Sequence, residues 1–175
     1  GVEVSTDNAY VYVADTDNQR IRKISVSTGA VTTLAGQTQA GGNDGTGENA
    51  QFSSPTGIAV NPRSGTTALV TDRGSGRIRQ IDLSTAEVTT VAGAWSSFED
   101  GVGTNAKFNS PYGIVIAPDG ETAYIADRYN GKIRMLIIST KTVSTFTGST
   151  FGQPTGIAMS SDGAYLFVAE SNDRK

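Results

Sequence analysis

The chain has 175 residues and a formal net charge of -3, enough for one domain with a sizeable core and without the cationic field that generic nucleic-acid binding needs. It contains no cysteine and no histidine, which excludes disulfides, thiolate metal sites, a Ser–His catalytic pair and the commonest metal ligand. No apolar run approaches the roughly 18 residues of a membrane-spanning helix, so no membrane insertion is predicted for this segment.

Short strand-like elements recur along the chain, and the first two of each copy are joined by a turn. The first element starts with a glycine, at Gly1, Gly57, Gly113 and Gly156. The second is apolar throughout and ends in a carboxylate, at Asp15, Asp72, Asp127 and Glu170. Turns such as Pro118-Asp119-Gly120 suit a hairpin, because glycine tolerates positive φ. The apolar second element predicts a sheet that is buried on both faces.

The third and fourth elements complete a four-stranded antiparallel unit. The third reads Arg-Ile-Arg-x-Ile in its first two copies, and the fourth begins with valine and ends in glycine at Gly36, Gly93 and Gly148. In the third element Ile21 and Ile24 are three residues apart, which breaks the two-residue period of a strand. This spacing predicts a bulge or burial on both faces. Helical periodicity is nearly absent, so the chain is predicted to be all-β.

Four-stranded units that recur every ~40–50 residues are typical of β-propeller blades. The succession Pro-x-Gly-Ile, apolar-x-Asp, Arg-Ile-Arg-x-Ile and Val-x-Thr-x-Ala-Gly resembles the NHL repeat over essentially the whole of residues 1–175. The resemblance implies an NHL-type β-propeller, usually six-bladed, with blades at about residues 1–36, 55–93 and 111–148 and a partial blade at 154–175. About three and a half blades would leave bare apolar faces, so we expect a portion of a longer chain or a ring closed by another copy.

Two linkers between the copies carry an insertion with a common pattern. Residues 44–52 and 100–108 both read Asp-Gly-x-Gly-x-x-Ala-x-Phe, which resembles the longer NHL variety of multidomain and cell-surface proteins. The aspartate is predicted to cap a short helical turn, since a phosphate-binding loop needs a strand-to-helix context and usually a lysine. A phenylalanine recurs three residues before a proline and is predicted to be a structural plug between blades, at Phe52, Phe108 and Phe151.

The carboxylate of the second element and an arginine of the third are seven residues apart in three copies. The three combinations are Asp15 with Arg22, Asp72 with Arg79, and Asp127 with Arg134. Repetition favours a structural role, because a catalytic site would occur once; the carboxylate would accept turn amides or pair with the arginine. The basic residues of the third element, Arg79 and Arg134 included, are also interpreted as outer-strand charges that solvate the sheet edges.

The loops on one rim are predicted to form the partner-binding face. In an up-and-down meander, the second-to-third connections share a rim with the insertions between blades, and loops on a rigid scaffold often carry binding residues. Trp95, the only tryptophan, is expected either to pack on its own loop or to be an exposed contact. The candidate residues of this face are Asp17, Arg73, Trp95, Phe98, Arg128 and Tyr129.

Three functions remain open from the sequence. The favoured one is a non-enzymatic scaffold that presents the loop-rich face to a protein or glycan, with no catalytic residue, metal or cofactor assigned. A metal-dependent propeller hydrolase or lactonase is the second; the amidating-lyase relatives use histidines, which this chain lacks, and the cluster of Asp15, Asp17 and Asn18 resembles no calcium loop. The third is binding of single-stranded RNA, as in NHL domains of ubiquitin-ligase proteins, which the acidic charge disfavours.

Overall fold

The computed structural model describes residues 1–171, and strands account for most of its regular structure. Four single-turn 3₁₀ helices lie among them, at Thr16–Asn18, Gly47–Asn49, Gly103–Asn105 and Arg128–Asn130. The strands are β1 Val2–Val4, β2 Tyr10–Asp15, β3 Arg20–Ser25, β4 Val31–Gly36, β5 Gly45–Thr46, β6 Pro55–Val60, β7 Thr67–Asp72, β8 Arg77–Asp82, β9 Glu87–Ala92, β10 Gly101–Val102, β11 Pro111–Ile116, β12 Thr122–Asp127, β13 Lys132–Ile137, β14 Thr142–Thr145, β15 Pro154–Met159 and β16 Leu166–Glu170.

The strands form a succession of antiparallel meanders, each of which is one propeller blade. Their orders are β1-β2-β3-β4, β6-β7-β8-β9-β5, β11-β12-β13-β14-β10 and β15-β16. Each new blade packs on the one before it, with the glycine-bearing strand innermost. The prediction of an all-β propeller built from meander blades is therefore confirmed.

The second and third blades have five strands rather than the four that the repeat predicted. The insertion before each blade adds a two-residue strand to that blade's outer edge, where Gly45 lies opposite Val88 and Gly101 lies opposite Val143. An outermost strand presents unpaired backbone groups, and the insertion covers part of that edge. In the fourth blade, the continuation predicted after Glu170 falls on residues 172–175, outside the described residues.

The irregular spacing of the third element coincides with bulges in the strand that follows it in the first two blades. The register between β3 and β4 shifts between Ile21 and Arg22, and that between β8 and β9 shifts between Ile78 and Arg79. Both Ile21 and Ile78 are fully buried. The pairing of β8 with β7 continues without a shift, and Ile78 and Ile81 lie in the core layers on opposite faces of the second blade. Of the two alternatives, burial on both faces therefore explains the spacing, and the bulge adds a residue to the neighbouring fourth strand.

The core lies in layers between neighbouring blades. One layer joins the first blade to the second around Phe52, and the next joins the second to the third around Phe108. Both rings are fully buried, and burial of such a side chain contributes about 1.5–3 kcal/mol. Phe151, at the corresponding place before the fourth blade, is only half-buried.

Neighbouring blades meet near the axis at the repeated glycine of the inner strand. A Cβ added to Gly57 would lie 2.5 Å from the carbonyl oxygen of Tyr112, and one added to Gly113 would lie 2.4 Å from that of Thr155. The oxygen belongs in both cases to the residue just before the equivalent glycine of the next blade. The inner strands therefore approach more closely than any side chain at these positions would permit.

We expect Gly57→Ala to lower the free energy of unfolding by about 3 kcal/mol, because the new methyl group would meet backbone that cannot move independently. Gly156→Ala is the matched control. Its Cβ would meet only the Cβ of Ala169, at 3.2 Å, and should cost about 1 kcal/mol or less. Urea unfolding followed by circular dichroism measures both, and equal losses would contradict the close approach of neighbouring blades.

Candidate functional site

A fully buried arginine joins the second blade to the insertion that precedes it. The guanidinium of Arg79 pairs with Asp44 Oδ1 at 2.8 Å and, more loosely, with Asp72 Oδ2 at 3.4 Å. It also donates to the carbonyl oxygens of Asn43 and Gln51. The insertion is therefore held to the blade by a charge that lies inside the protein.

The third blade repeats this arrangement. Arg134 is also fully buried, and it pairs with Asp127 Oδ2 at 2.8 Å and with Asp100 Oδ1 at 2.6 Å. Its guanidinium carbon lies 5.0 Å from the ring centre of Phe108 and 4.9 Å from that of Phe98. The same cation thus contacts a core phenylalanine and a phenylalanine of the rim.

Two sequence interpretations are wrong at these positions. Arg79 and Arg134 do not solvate the sheet edges, because both are excluded from water. The aspartate of the insertion does not cap the 3₁₀ turn Gly47–Asn49, which has no side-chain cap bond. Asp44 instead accepts from Arg79 and from the hydroxyl of Thr90. A buried guanidinium has several donors to satisfy, and the insertion supplies carbonyl groups and a second carboxylate.

The first blade lacks the ion pair that its sequence predicted. Within residues 1–171, Asp15 accepts the side-chain amide of Asn18 at 2.9 Å, and no carboxylate lies within ion-pair distance of Arg22. The equivalent arginines of the next two blades are held by the insertion before their own blade. No such insertion contacts Arg22 among these residues, and the side chain stays half-buried.

The carboxylate that ends the second strand also binds the segment leading into its own blade. Asp72 accepts the amide of Ser53 at 2.6 Å, Asp127 that of Asn109 at 2.7 Å, and Glu170 that of Gly152 at 2.6 Å. In each blade the donor immediately follows the recurrent phenylalanine. Glutamate can replace aspartate in this position because the bond to the amide is preserved.

Burial dominates the ionisation of the inner carboxylates. It raises the pKa of Asp72 to about 6, against the opposing effects of hydrogen bonds from Ser75 and Ser53 and of the charge of Arg79. Burial likewise raises the pKa of Asp127. Their ionised forms are thus less favoured in the folded chain than in water.

The rim that carries the insertions exposes three aromatic side chains. Trp95 is 80% exposed, Tyr129 58% and Phe98 50%. The side-chain amide of Asn130 donates to the carbonyl oxygen of Ser97 at 2.9 Å, so the second-to-third connection of the third blade meets the insertion on one rim, as the meander predicted. Trp95 was expected either to pack on its own loop or to be exposed, and the structure shows it exposed.

The other three candidate residues of the face, Arg128, Arg73 and Asp17, have different surroundings. The guanidinium carbon of Arg128 lies 5.1 Å from the ring centre of Tyr129 and 5.6 Å from that of Tyr112. Its Nη2 donates to Gln153 Oε1 at 2.9 Å. Arg73 is half-buried and Asp17 is exposed on the corresponding connections of the earlier blades. Among the described residues, no side-chain hydrogen bond or cation–π contact joins either of these two to the three exposed aromatic residues.

One feature of this rim was missed by the sequence analysis. A depression of about 280 Å³ opens beside Trp95, and Ser53, Ser75, Arg77 and Ser96 contribute to its lining. Arg77 is the first arginine of the Arg-Ile-Arg motif, and the motif's recurrence had assigned it to the sheet edge. Its neighbours come from four separate segments that only the folded chain brings together.

Two further observations bear on the functional classes. Throughout residues 1–171, no three carboxylates converge in the way that a metal ion would need. None of the helices in this part of the chain combines the length and apolar character needed to cross a membrane.

We expect Asp72→Ala to cost about 3–5 kcal/mol of unfolding free energy, because it leaves a buried arginine and a buried amide without their acceptor. Asp44→Ala should cost about 1 kcal/mol, since that carboxylate is half exposed and water can replace it. Asp15→Ala in the first blade is a control with little expected effect. Thermal unfolding of the three variants tests the order, and equal shifts for Asp72 and Asp44 would contradict it.

The chain has no histidine, so the side chains that titrate between pH ~5 and ~7 are carboxylates whose pKa values burial raises. Such a group binds its proton more tightly in the folded than in the unfolded chain, so the free energy of unfolding should increase as pH falls through about 6. Asp72→Asn, which cannot titrate, should remove part of this increase. Urea unfolding at several pH values measures it, and a stability that decreases over this range would contradict the prediction.

No family model matches this chain. It is 32% identical over 146 residues to NHL repeat-containing protein 2 of Bos taurus, a match that covers 78% of the chain and 20% of that protein. It is 30% identical over 189 residues to Protein SUPPRESSOR OF QUENCHING 1, chloroplastic, of Arabidopsis thaliana, covering 95% of the chain and 18% of that protein. The chain thus spans about a fifth of the length of these relatives.

Among solved structures, the fold is similar to that of an auxiliary nutrient binding protein from Bacteroides thetaiotaomicron VPI-5482. The TM-score is 0.66 at 25% sequence identity, over 83% of this chain and 37% of that one. The glycine-bearing inner strands and the meander blades of the structure agree with the repeat named in the first of these relatives. The chain belongs to the NHL-repeat β-propeller family.

Proposed function

We propose that this chain is a non-enzymatic binding module, and that the rim carrying its insertions is the surface that meets a protein or glycan partner. The observation that carries the proposal is the exposure of Trp95, Phe98 and Tyr129 on one rim. Exposed aromatic side chains among polar neighbours are typical of binding surfaces, because covering them releases water from apolar area.

The rigidity of the rim supports this proposal. Arg134 contacts the ring of Phe98 and binds the carbonyl oxygen of the next residue, Glu99, at 2.8 Å. Glu99 in turn pairs with Lys107 at 2.6 Å. A loop that is ordered before binding loses little conformational entropy when the partner arrives, so more of the contact energy contributes to affinity.

The environment of the repeated carboxylates favours binding over catalysis. Both oxygens of Asp72 are engaged, one by Ser53 and the other by Ser75 and Arg79, and the side chain is excluded from water. A substrate or metal ion has no access to such a group. Asp127 is equally buried and paired, and this disfavours the alternative of a metal-dependent hydrolase or lactonase built on Asp72 or Asp127.

The environment of the arginines disfavours the alternative of RNA binding. Arg79 and Arg134 are buried and paired with carboxylates, so they cannot neutralise phosphates as a nucleic-acid interface requires. The similarity to an auxiliary nutrient binding protein adds support for a binding role.

The test compares two variants on arrayed folded proteins and arrayed glycans. A triple variant with Trp95→Ala, Phe98→Ala and Tyr129→Ala should lose at least ten-fold in affinity for any ligand that the unmodified chain binds, because a few aromatic contacts dominate most interfaces. Arg63→Ala, an exposed residue in a first-to-second connection on the other rim, should bind normally. Ligand binding that survives the triple variant would contradict the proposal, as would metal-dependent hydrolysis of lactones or esters.

A further inference from the structure

We infer that the depression beside Trp95 is a saccharide-binding site, in which one pyranose ring of a glycan lies on the indole and directs its hydroxyl groups towards Arg77 and the neighbouring serines. The inference rests on the proposed function and assigns a ligand class to one part of the rim.

The backbone holds Trp95 outward. The residue has a φ of 53°, in the left-handed region that bulky side chains rarely adopt. The segment after it is anchored, since the amide of Ser97 donates to the carbonyl oxygen of Phe108 at 3.2 Å and the side chain of Asn130 donates to the carbonyl oxygen of Ser97. These contacts order the segment that carries the indole.

The lining of the depression supplies hydroxyl groups and a cation. Ser53, Ser75 and Ser96 lie around it together with Arg77. Among the described residues, the guanidinium of Arg77 makes one hydrogen bond, through Nη1 to the carbonyl oxygen of Gly42, and its Nε is buried. Nη2 is therefore the nitrogen that can donate to a ligand. A Cβ on Gly74 would lie 2.3 Å from Ser53 Oγ, so glycine permits the close packing of the two segments here.

This chemistry matches a sugar better than other small ligands. A pyranose has an apolar C–H face that covers an aromatic ring and hydroxyl groups at its edge that need donors and acceptors. Arg77 repels a cation that would otherwise stack on the indole, and the nearby carboxylate of Asp72 is buried. The volume of about 280 Å³ lies just below the range of about 300–1,000 Å³ for drug-sized ligands, which suits one ring of a chain that continues into solvent.

The site occurs once, whereas the structural features repeat. Trp95 stands two residues after the glycine that ends the fourth element, and the same place is taken by Thr38 in the first blade and Thr150 in the third. The buried ion pair, in contrast, occurs in both the second and the third blades. A tryptophan needed for blade packing would recur and would be buried, and Trp95 does neither.

Fluorescence of the chain tests this site directly, because Trp95 is its only tryptophan. The probes are tetrasaccharides of glucose, mannose, xylose and galacturonic acid, followed by a printed glycan array. We expect a saturable change in indole emission with at least one saccharide, at a Kd of ~10 μM to ~1 mM, the range of modest affinities. Calorimetry then measures the same saccharide against the variants.

Three variants test whether a saccharide binds at Trp95 and Arg77. Trp95→Ala should abolish the calorimetric signal, and Arg77→Gln should weaken binding at least ten-fold. Tyr165→Ala is the matched control, because this ring is 67% exposed at a turn of the fourth blade and should bind as the unmodified chain does. Circular dichroism confirms that each variant is folded before binding is measured.

The outcomes separate this inference from the proposed function. Saccharide binding that is lost in Trp95→Ala and kept in Tyr165→Ala supports the site. The absence of binding across the tetrasaccharides and the array overturns it, as does binding that persists in Trp95→Ala. If an arrayed protein binds the rim through Phe98 and Tyr129 while no saccharide binds, this inference fails and the proposed function stands.

Discussion

A buried guanidinium between two carboxylates is the interaction on which the second and third blades and their insertions depend. Removing an arginine and its partner from water costs several kcal/mol for each ion, and only close hydrogen bonds offset that cost. Arg79 donates through both terminal nitrogens to two carboxylates and two carbonyl groups, while its Nε has no partner. The arrangement therefore contributes less to the free energy of folding than to the position of the insertion. It determines where the insertion lies on the blade.

The contact between blades imposes a second constraint, at the axis. The inner strands approach until a carbonyl oxygen occupies the place of a Cβ, and glycine is required there. The dependence of a blade on the blades beside it is visible at the first strand. Val2 is 63% exposed where the equivalent Ile58 is 4% exposed, because no described blade packs on Val2. Phe167 is likewise exposed where Leu69 of the second blade is buried. Each blade thus relies on the blades on either side of it for its hydrophobic burial.

These two constraints explain how the fold can support a binding surface. The repeated residues, such as Arg134 and Gly113, are used in packing and leave the rim backbone rigid. The residues that do not repeat, Trp95 foremost, lie on that rigid rim and face water. Selection for a partner can act on them without disturbing the blades, since their side chains contribute little to the core. The proposed role thus has a physical basis, because repeated residues build the blades and residues that occur once face the partner.

The sequence by itself determined the blades and their order, because strand periodicity, turn glycines and the spacing of repeats depend on neighbours close in the chain. From the spacing of two isoleucines it also predicted a bulge or burial on both faces of the third strand, and the second alternative holds for Ile78 and Ile81. Only the tertiary structure showed that Asp44 binds Arg79 across 35 residues, that the insertion becomes a fifth strand, and that Arg77 lies beside Trp95. Those contacts join segments that are distant in the chain, and a local pattern carries no information about which distant charge a buried arginine will meet.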